Sequence, residues 1–246
     1  QQAENFLWAI RVHLHLISGR ATEKLTFDLQ VEIAERMLFS DSNGRRAVEH
    51  FMQTYFRHAT KVGEFTRIIL TDLEAQHVKS KSLIKNFTKT KKRKPINPIF
   101  CIRQNRLDVV KSESFTNNPI NILLLFEEAL RTGYLIHPDT MRFISSNLPL
   151  VYKLQGNKSA AKVFIDTLLK HGNPERALRR MNELGVLGAF IPYFQDIIAM
   201  MQFNMYHSYT VDEHTIQVIS NLSQIERGEL TESLPIASNI LKGNIN

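Results

Sequence analysis

An apolar repeat over residues 45–75 leaves this sequence few folds other than a helical one. Bulky side chains recur there every three or four positions, at Val48, Phe51, Tyr55, Ala59, Val62, Phe65, Ile69 and Leu73. Because an α-helix turns once every 3.6 residues, this spacing places all of them on one face. At 1.5 Å per residue the segment would extend roughly 45 Å. The repeat therefore predicts one long amphipathic helix that forms the spine of a helical bundle.

Shorter segments with the same period predict further helices. The first of these segments ends at Ser18-Gly19. The others cover residues 26–37, 119–132, 138–147, 160–171 and 174–184, and one more begins at Pro192 and runs through Met205. Asn173 before Pro174 is typical of a helix start, because asparagine caps the free amides and proline suits the first helical position. The fold class predicted is all-α, a helical bundle.

The helical period fails between residues 79 and 118, which we interpret as a long irregular insertion. Alternating apolar residues at 99–102 and 107–110 flank Gln104-Asn105 and predict a small β-hairpin. Eleven Lys or Arg and two acids in residues 76–118 give a local charge of +9, so the remainder of the +7 chain carries about −2. The run Lys89 to Lys94 lacks interleaved aromatic residues, which favours a solvated loop over nucleic-acid binding, with an anion or partner contact as the alternative.

Composition excludes several classes of protein. A single cysteine, Cys101, rules out an internal disulfide and disfavours a cysteine metal site. No apolar run approaches the roughly 20 residues of a membrane span, and no secretory leader is visible. The absence of an initiating Met suggests a fragment, and we expect a cytoplasmic location. The sequence also has no phosphate-binding glycine loop, no Gly-Ser followed by paired Asp, and no adjacent His-Asp pair.

His214 is the candidate metal ligand. Thr210 and Glu213 have the spacing of a capping box, which predicts that a helix begins at Val211 with His214 in its first turn. His214 then shares one face with Val218, Leu222 and Ile225, so we expect its imidazole to point toward the buried side. A hydrogen-bonded core histidine fits this pattern as well, and a metal centre needs three or four donors.

Two further groups of charged residues are candidates. Asp212 and Glu213 could orient a metal-bound histidine, or simply complement the helix dipole in the first turn. Arg20 and Lys24 belong to a basic group near the end of the first helix and could contact nucleotide phosphates, or complement that helix's C-terminus. The Met-rich stretch 200–205 predicts core packing.

Several sequence blocks resemble the bifunctional PII uridylyltransferase/uridylyl-removing enzymes, in the order found in that family. The blocks are Glu4 to Arg11, His13 to His15, Gly19-Arg20, Leu25 to Gln30, Ile33-Ala34, Phe51 to Ala59, Leu125 to Ala129, Ile136 to Pro138, Leu168 to Pro174, Arg179 to Gly188, Met200 to His207 and Tyr209 to Thr215. They cover nearly all of the chain except the basic insertion, for which we find no counterpart.

The resemblance implies a modular enzyme of which this chain is a central piece. A preceding domain would transfer UMP from UTP to a tyrosine of the signalling protein PII, using Mg²⁺ or Mn²⁺. An HD domain would remove the UMP by hydrolysis, and C-terminal domains would sense glutamine. Residues 1–199 would form the helical domain associated with the transferase, and residues 200–246 the start of a truncated HD domain. His214 matches the first metal-binding histidine of that domain. We expect the fragment alone to be inactive, because the remaining ligands lie outside it.

Two alternatives remain open. The helical domain of the related glutamine-synthetase adenylyltransferase is one, although that family lacks the HD domain that the block Tyr209 to Thr215 resembles. A non-catalytic helical binding module that uses the basic segment 89–94 is the other.

Overall fold

We describe the chain from a computed structural model, which covers residues 1–80, 94–203 and 209–243. Its helices are α1 (Gln2–Ser18), α2 (Phe27–Arg36), α3 (Ala47–Ser80), α4 (Glu113–Asn117), α5 (Ile120–Thr132), α6 (Pro138–Ser146), α7 (Pro149–Tyr152), α8 (Lys158–Leu169), α9 (Glu175–Glu183), α10 (Val186–Phe190), α11 (Pro192–Ile197), α12 (Val211–Glu226) and α13 (Pro235–Gly243). The strands are β1 (Lys94–Pro95), β2 (Phe100–Arg103) and β3 (Arg106–Val109). The mostly helical fold predicted from the apolar period is confirmed.

The chain divides into two compact units, of which the first contains residues 1–67 and 193–214. Its core is formed by α1, α2 and the first turns of α3, together with one buried residue, Met201, from the segment 193–214. The buried members are Ile10, Leu14, Ile33, Ala34, Val48, Phe51, Met52 and Met201. Gly19 ends α1 with a left-handed φ of 62°, a conformation that glycine adopts without a Cβ clash. The predicted end of the first helix is therefore confirmed.

Helix α3 is the predicted long helix, but only its first turns are buried. Val48, Phe51 and Met52 are buried, whereas Val62 and Phe65 on the same stripe are exposed. Ile69 and Leu73 continue the exposed stripe. A bundle spine was therefore the correct interpretation for the start of α3 and the wrong one for its second half, as far as the described residues show.

The second unit contains residues 68–192 and 215–246 and is built around α5. Helix α5 packs against α8 and α9, and α10 packs against α9 and α7. Fully buried side chains of α5, Ile122, Leu123, Leu125 and Phe126, form the centre of this core. Helix α9 begins at Glu175, one residue later than predicted, with Pro174 at the capping position. The Asn173 side chain still accepts a hydrogen bond from the Glu175 amide at 2.9 Å.

The three strands form an antiparallel sheet in the order β1-β2-β3. Strands β2 and β3 pair from Phe100 with Val109 to Arg103 with Arg106. Gln104 and Asn105 between them have φ values of 53° and 58°, as the two central residues of a type I′ turn require. The predicted hairpin is confirmed.

This hairpin corrects the interpretation of residues 79–118 as one irregular insertion. Helix α3 extends to Ser80, and residues 100–117 contain two strands and α4. Phe100, Leu107 and Phe115 are buried, so this segment contributes to the core of its unit. The helical period is absent there because residues 100–117 form two strands and a helix of only five residues. Residues Lys89 to Arg93 of the basic run lie outside the described residues.

The helix predicted from Pro192 through Met205 ends early. Helix α11 begins at Pro192 as expected but stops at Ile197, and Ala199 then adopts a left-handed φ of 57°. Residues 198–203 therefore continue without helix, and Met205 lies outside the described residues. Met201 is buried in the core of the first unit, which confirms the core prediction for that methionine. The domain boundary at 199/200 stays a prediction.

Candidate functional site

The first turn of α12 forms as the sequence predicts. The helix begins at Val211, and the His214 amide donates to the Thr210 carbonyl oxygen at 2.9 Å, the first hydrogen bond of the helix. Thr210 therefore occupies the capping position, and His214 lies in the first turn. The capping pattern placed this helix start correctly.

The surroundings of His214 differ from the expectation. His214, Val218 and Leu222 are exposed, and only Ile225 on that face is buried. The four residues do share one face of α12, but no element in the described part of the chain covers that face at His214, Val218 and Leu222. The expectation of a buried imidazole is therefore wrong for this structure, because the apolar period reports a shared face and not what covers it.

Asp212 has a contact that the sequence did not predict. Its carboxylate oxygen Oδ1 accepts a hydrogen bond from the Ala199 amide at 3.1 Å, and the side chain is buried. The neighbouring Val211 amide donates to the Met200 carbonyl oxygen at 2.8 Å. The start of α12 is thus attached to the turn that follows α11. Glu213 beside it is half-buried.

A complete metal centre is not formed by the described residues. Within residues 1–80, 94–203 and 209–243, no three His, Cys, Asp or Glu side chains lie close enough together to hold a metal ion. His214 can supply one donor, and a catalytic zinc or related site uses about three protein ligands. The described residues therefore do not form a metal site by themselves, and we derive no chemical step through a metal.

Arg20 and Lys24 lie in the connection between α1 and α2, and both are exposed. The connection is held by a hydrogen bond between Arg11 and Glu23 at 2.7 Å and by His15 against the Thr22 carbonyl oxygen at 3.1 Å. Neither Arg20 nor Lys24 forms a side-chain ion pair with any residue that the structure covers. Both cations are therefore available to an anion, and their role as phosphate contacts stays a prediction.

The second unit contains a buried polar cluster that the sequence analysis missed. Arg103 donates from Nε to Asp108 at 2.5 Å and from Nη2 to Asp139 at 2.6 Å. Thr140 donates its hydroxyl to the other oxygen of Asp108. The Leu107 amide donates to the Leu135 carbonyl oxygen at 2.8 Å, and the His137 amide donates to the Leu107 carbonyl oxygen at 2.7 Å. The cluster thus attaches the hairpin to the N-terminus of α6.

His137 in this cluster is neutral because of its hydrogen bonds. Its Nδ1 accepts from the Asp139 amide at 3.1 Å and from Arg103 Nη2 at 2.9 Å, so the proton resides on Nε2 and points to Gln104. Burial lowers the pKa of His137, and the charge of Arg103 lowers it further. Burial is the largest single influence and would raise the pKa of Asp139, but the hydrogen bond from Arg103 and the charges of neighbouring residues together outweigh it and lower that pKa. The sequence predicted only that a helix begins at Pro138, since the partners of His137 are distant along the chain.

Protonation of His137 is expected to make stability depend on pH. Its unfolded pKa is near 6.5 and its folded pKa lies lower, so the unfolded chain takes up the proton first as the pH falls. The free energy of unfolding therefore holds above pH 6.5 and decreases below it, toward the folded pKa. Urea unfolding at several pH values between 7 and about 5 measures this loss.

The control for this prediction is His137→Asn. Asparagine can accept the hydrogen bond from the Asp139 amide and cap α6, but it does not titrate. The variant should therefore show a flatter dependence of stability on pH than the natural chain. Equal slopes for the two proteins would contradict the assignment, since all other histidines are the same in both.

Helix α12 is also anchored inside the second unit. Ser220 is buried, donates to Glu175 at 2.6 Å and accepts from the Asn173 side chain at 2.8 Å. Hydrogen bonds from Ser220 and then Arg179 lower the pKa of Glu175. The start of α9 and the middle of α12 are therefore joined by side chains that satisfy one another.

The fold and the candidate residues define a mostly helical protein module in which buried polar side chains attach the starts of α6, α9 and α12 to neighbouring segments. A family model described as "GlnD PII-uridylyltransferase" matches residues 1–70, and one described as "Uridylyltransferase GlnD third domain" matches residues 100–190. The second match includes the hairpin, so that part of the supposed insertion belongs to the family domain. The basic run lies between the two matches.

Two relatives are similar over the entire chain. The chain is 62% identical to the bifunctional uridylyltransferase/uridylyl-removing enzyme of Ruegeria pomeroyi over all 246 residues. Over the same length it is 58% identical to the enzyme of that name from Cereibacter sphaeroides. It spans 27% and 26% of the lengths of these relatives. The chain belongs to the PII uridylyltransferase family. No solved structure matches it. None of the helices in the described part is long and apolar enough to cross a membrane.

Proposed function

We propose that this chain is the central helical part of an enzyme that transfers UMP from UTP to a tyrosine of PII and removes it by hydrolysis. The observation that carries the proposal is the identity of 62% and 58%, across the whole chain, with two enzymes that are named for both activities. These names also favour uridylyl over adenylyl transfer. The setting would be the sensing of nitrogen status, with glutamine acting through domains elsewhere in the parent protein and with a cytoplasmic location.

We assign roles to four residues in this scheme. His214 would supply one ligand of the metal used in uridylyl removal, with the other ligands from residues outside those described. Glu213 would help to orient that histidine. Arg20 and Lys24 would contact nucleotide phosphates, which their exposure and their lack of described ion-pair partners support. Mg²⁺ or Mn²⁺ would serve the parent enzyme.

The test uses the full-length parent enzyme with UTP, Mg²⁺ and purified PII. We expect UMP to appear on PII, and to be released when the modified PII is incubated with enzyme without UTP. PII in which the target tyrosine is replaced by phenylalanine is the control, because it lacks the accepting hydroxyl group. A parent enzyme that neither adds nor removes UMP would refute the proposed function.

Two further proteins, the isolated chain and a His214→Ala variant of the parent enzyme, test which part of the parent carries each activity. The isolated 246-residue chain should show neither reaction, because the described residues contain no complete metal site. His214→Ala in the parent should lower uridylyl removal at least about tenfold and leave UMP transfer within about twofold, as loss of one metal ligand predicts. Activity of the isolated chain, or full uridylyl removal by His214→Ala, would contradict these assignments.

A further inference from the structure

Hydrogen bonds join α3 to the first turn of α12 within the first unit. On the α3 side the connecting residue is Gln53, which is only 7% exposed. Its Oε1 accepts from Arg45 Nη1 at 3.0 Å, and its Nε2 donates to the carbonyl oxygen of Ile198, also at 3.0 Å. Gln53 therefore ties the side of α3 to the turn that follows α11.

On the α12 side the connecting residue is Asp212, which is 4% exposed. It accepts the hydrogen bond from the Ala199 amide, and the adjacent Val211 amide donates to the Met200 carbonyl oxygen. The peptide that follows Ile198 is thus held by Gln53 through its oxygen and by Asp212 through its N–H. One peptide group links the two side chains.

The backbone at this peptide is in a conformation that needs support. Ala199 has a φ of 57°, where the Cβ of an alanine is crowded and a residue normally pays a free-energy cost. Such residues persist where the surrounding contacts determine them. The peptide group before Ala199 is hydrogen-bonded to the buried side chains of Gln53 and Asp212, so these two contacts supply support for the conformation. The N–H of the peptide group after Ala199 donates to the Ile197 carbonyl oxygen at 3.0 Å.

A second attachment runs in parallel with the first. Glu49 accepts from the Arg46 amide at 3.0 Å and from the Phe203 amide at 3.1 Å, so it caps the start of α3 and holds the returning chain. The Phe203 ring packs edge-on against Phe27 at 5.4 Å and beneath the Arg46 guanidinium at 5.0 Å. Residues 198–203, which follow α11, are therefore held on α3 at two points, Glu49 and Gln53, one turn of helix apart.

We propose that Gln53 and Asp212 are positioning residues that set where α12 begins relative to α3, and with it the place of His214. The functional part of this inference rests on the proposed function. Asp212 acts as a hydrogen-bond acceptor, in place of the metal-orienting role considered from the sequence. A displacement of α3 at Gln53 would thereby reach the first turn of α12 through the Ile198–Ala199 peptide group.

The experiment compares variants of the full-length parent enzyme. Gln53→Leu and Asp212→Ala should each lower uridylyl removal at least about tenfold, because small displacements of reacting groups are costly, and should leave UMP transfer within about twofold. The double variant should be no worse than the more damaged single variant, since both changes break the same connection. Independent destabilisation at two sites would instead multiply the two losses.

Two conservative variants separate positioning from other roles. Asp212→Asn keeps the Oδ1 acceptor for Ala199 and removes the charge, so it should retain uridylyl removal within about threefold. Loss equal to that of Asp212→Ala would overturn the assignment in favour of a role for the charge. Gln53→Glu keeps the partner of Arg45 but cannot donate to Ile198, so it tests the same hydrogen bond if Gln53→Leu does not fold.

Amide hydrogen exchange provides a readout that does not depend on activity. In the parent protein, Gln53→Glu should speed exchange both at residues 197–201 and at residues 211–215, because the connection runs through both. Faster exchange in the first segment alone, or multiplied losses in the double variant, would overturn the inference. A natural parent without uridylyl removal would refute the proposed function, while the exchange data would still decide whether the connection exists.

Discussion

Replacing Asp108 with alanine is expected to lower the free energy of unfolding by about 3–5 kcal/mol, the cost of breaking a buried ion pair from one side. Asp108 is 3% exposed and accepts from Arg103 Nε and from the hydroxyl of Thr140. Alanine would leave both donors without that acceptor in a buried setting. Arg103 would keep Asp139, which is half exposed and compensates only in part. Urea unfolding followed by circular dichroism measures the loss.

Glu229→Ala is the matched control for Asp108→Ala. Glu229 also pairs with an arginine, Arg227, at 3.1 Å in the same unit, but both partners are at the surface. An exposed pair of this kind contributes about 1 kcal/mol or less. If the two variants lost similar stability, burial would not be the reason for the effect, and the role given to the cluster around Arg103 would be wrong. Amide exchange at 100–109 should rise only in Asp108→Ala.

Phe51→Ala is the second change expected to have a large effect, about 3–5 kcal/mol, because a buried phenylalanine loses its transfer free energy and leaves a cavity. Phe51 is 0% exposed, and its ring meets that of Phe39 edge-on at 5.6 Å. It lies at the centre of the core that joins α1, α2 and α3. Denaturant unfolding of the first unit, monitored by the single tryptophan at Trp8, gives the measurement.

The control for Phe51→Ala lies on the same helix. Phe65 occupies the same apolar stripe of α3 but is 55% exposed, so Phe65→Ala removes the same atoms from a surface position. We expect it to change stability by less than about 1 kcal/mol. A loss at Phe65 as large as that at Phe51 would mean that the stripe is covered along its whole length, as the sequence alone suggested.

The contrast between these two phenylalanines shows what an apolar period can predict. It requires only that the residues share a face, and in that respect α3 and α12 follow their sequences. It does not say what covers the face. Phe51 meets α1 and α2, whereas the described elements leave Phe65 in α3 and Val218 in α12 exposed. The same reasoning explains why His214 was placed in the correct turn and given the wrong surroundings.

Polar contacts could be predicted from the sequence only where the two partners lie close together along the chain. Asn173 accepts from the amide of Glu175, two residues away, just before α9, and the Asn173-Pro174 pair indicated a helix start within one residue of the observed one. Arg103 and His137 are 34 residues apart, and Gln53 and Ile198 are 145 apart. No local pattern marks these partners, so neither the buried cluster at α6 nor the connection between α3 and α12 was predicted. Both carry predictions that the sequence could not have suggested.

The amino-acid sequence by itself determined most of the longer helices, the hairpin turn at Gln104-Asn105 and the family. Period, capping and turn chemistry act between residues close in the chain, and the family blocks are read directly. The tertiary structure decided which faces are covered, that α11 stops before Ala199, and that Asp212 serves the backbone. These depend on which distant groups meet, and a buried hydrogen bond forms only where the fold brings donor and acceptor together.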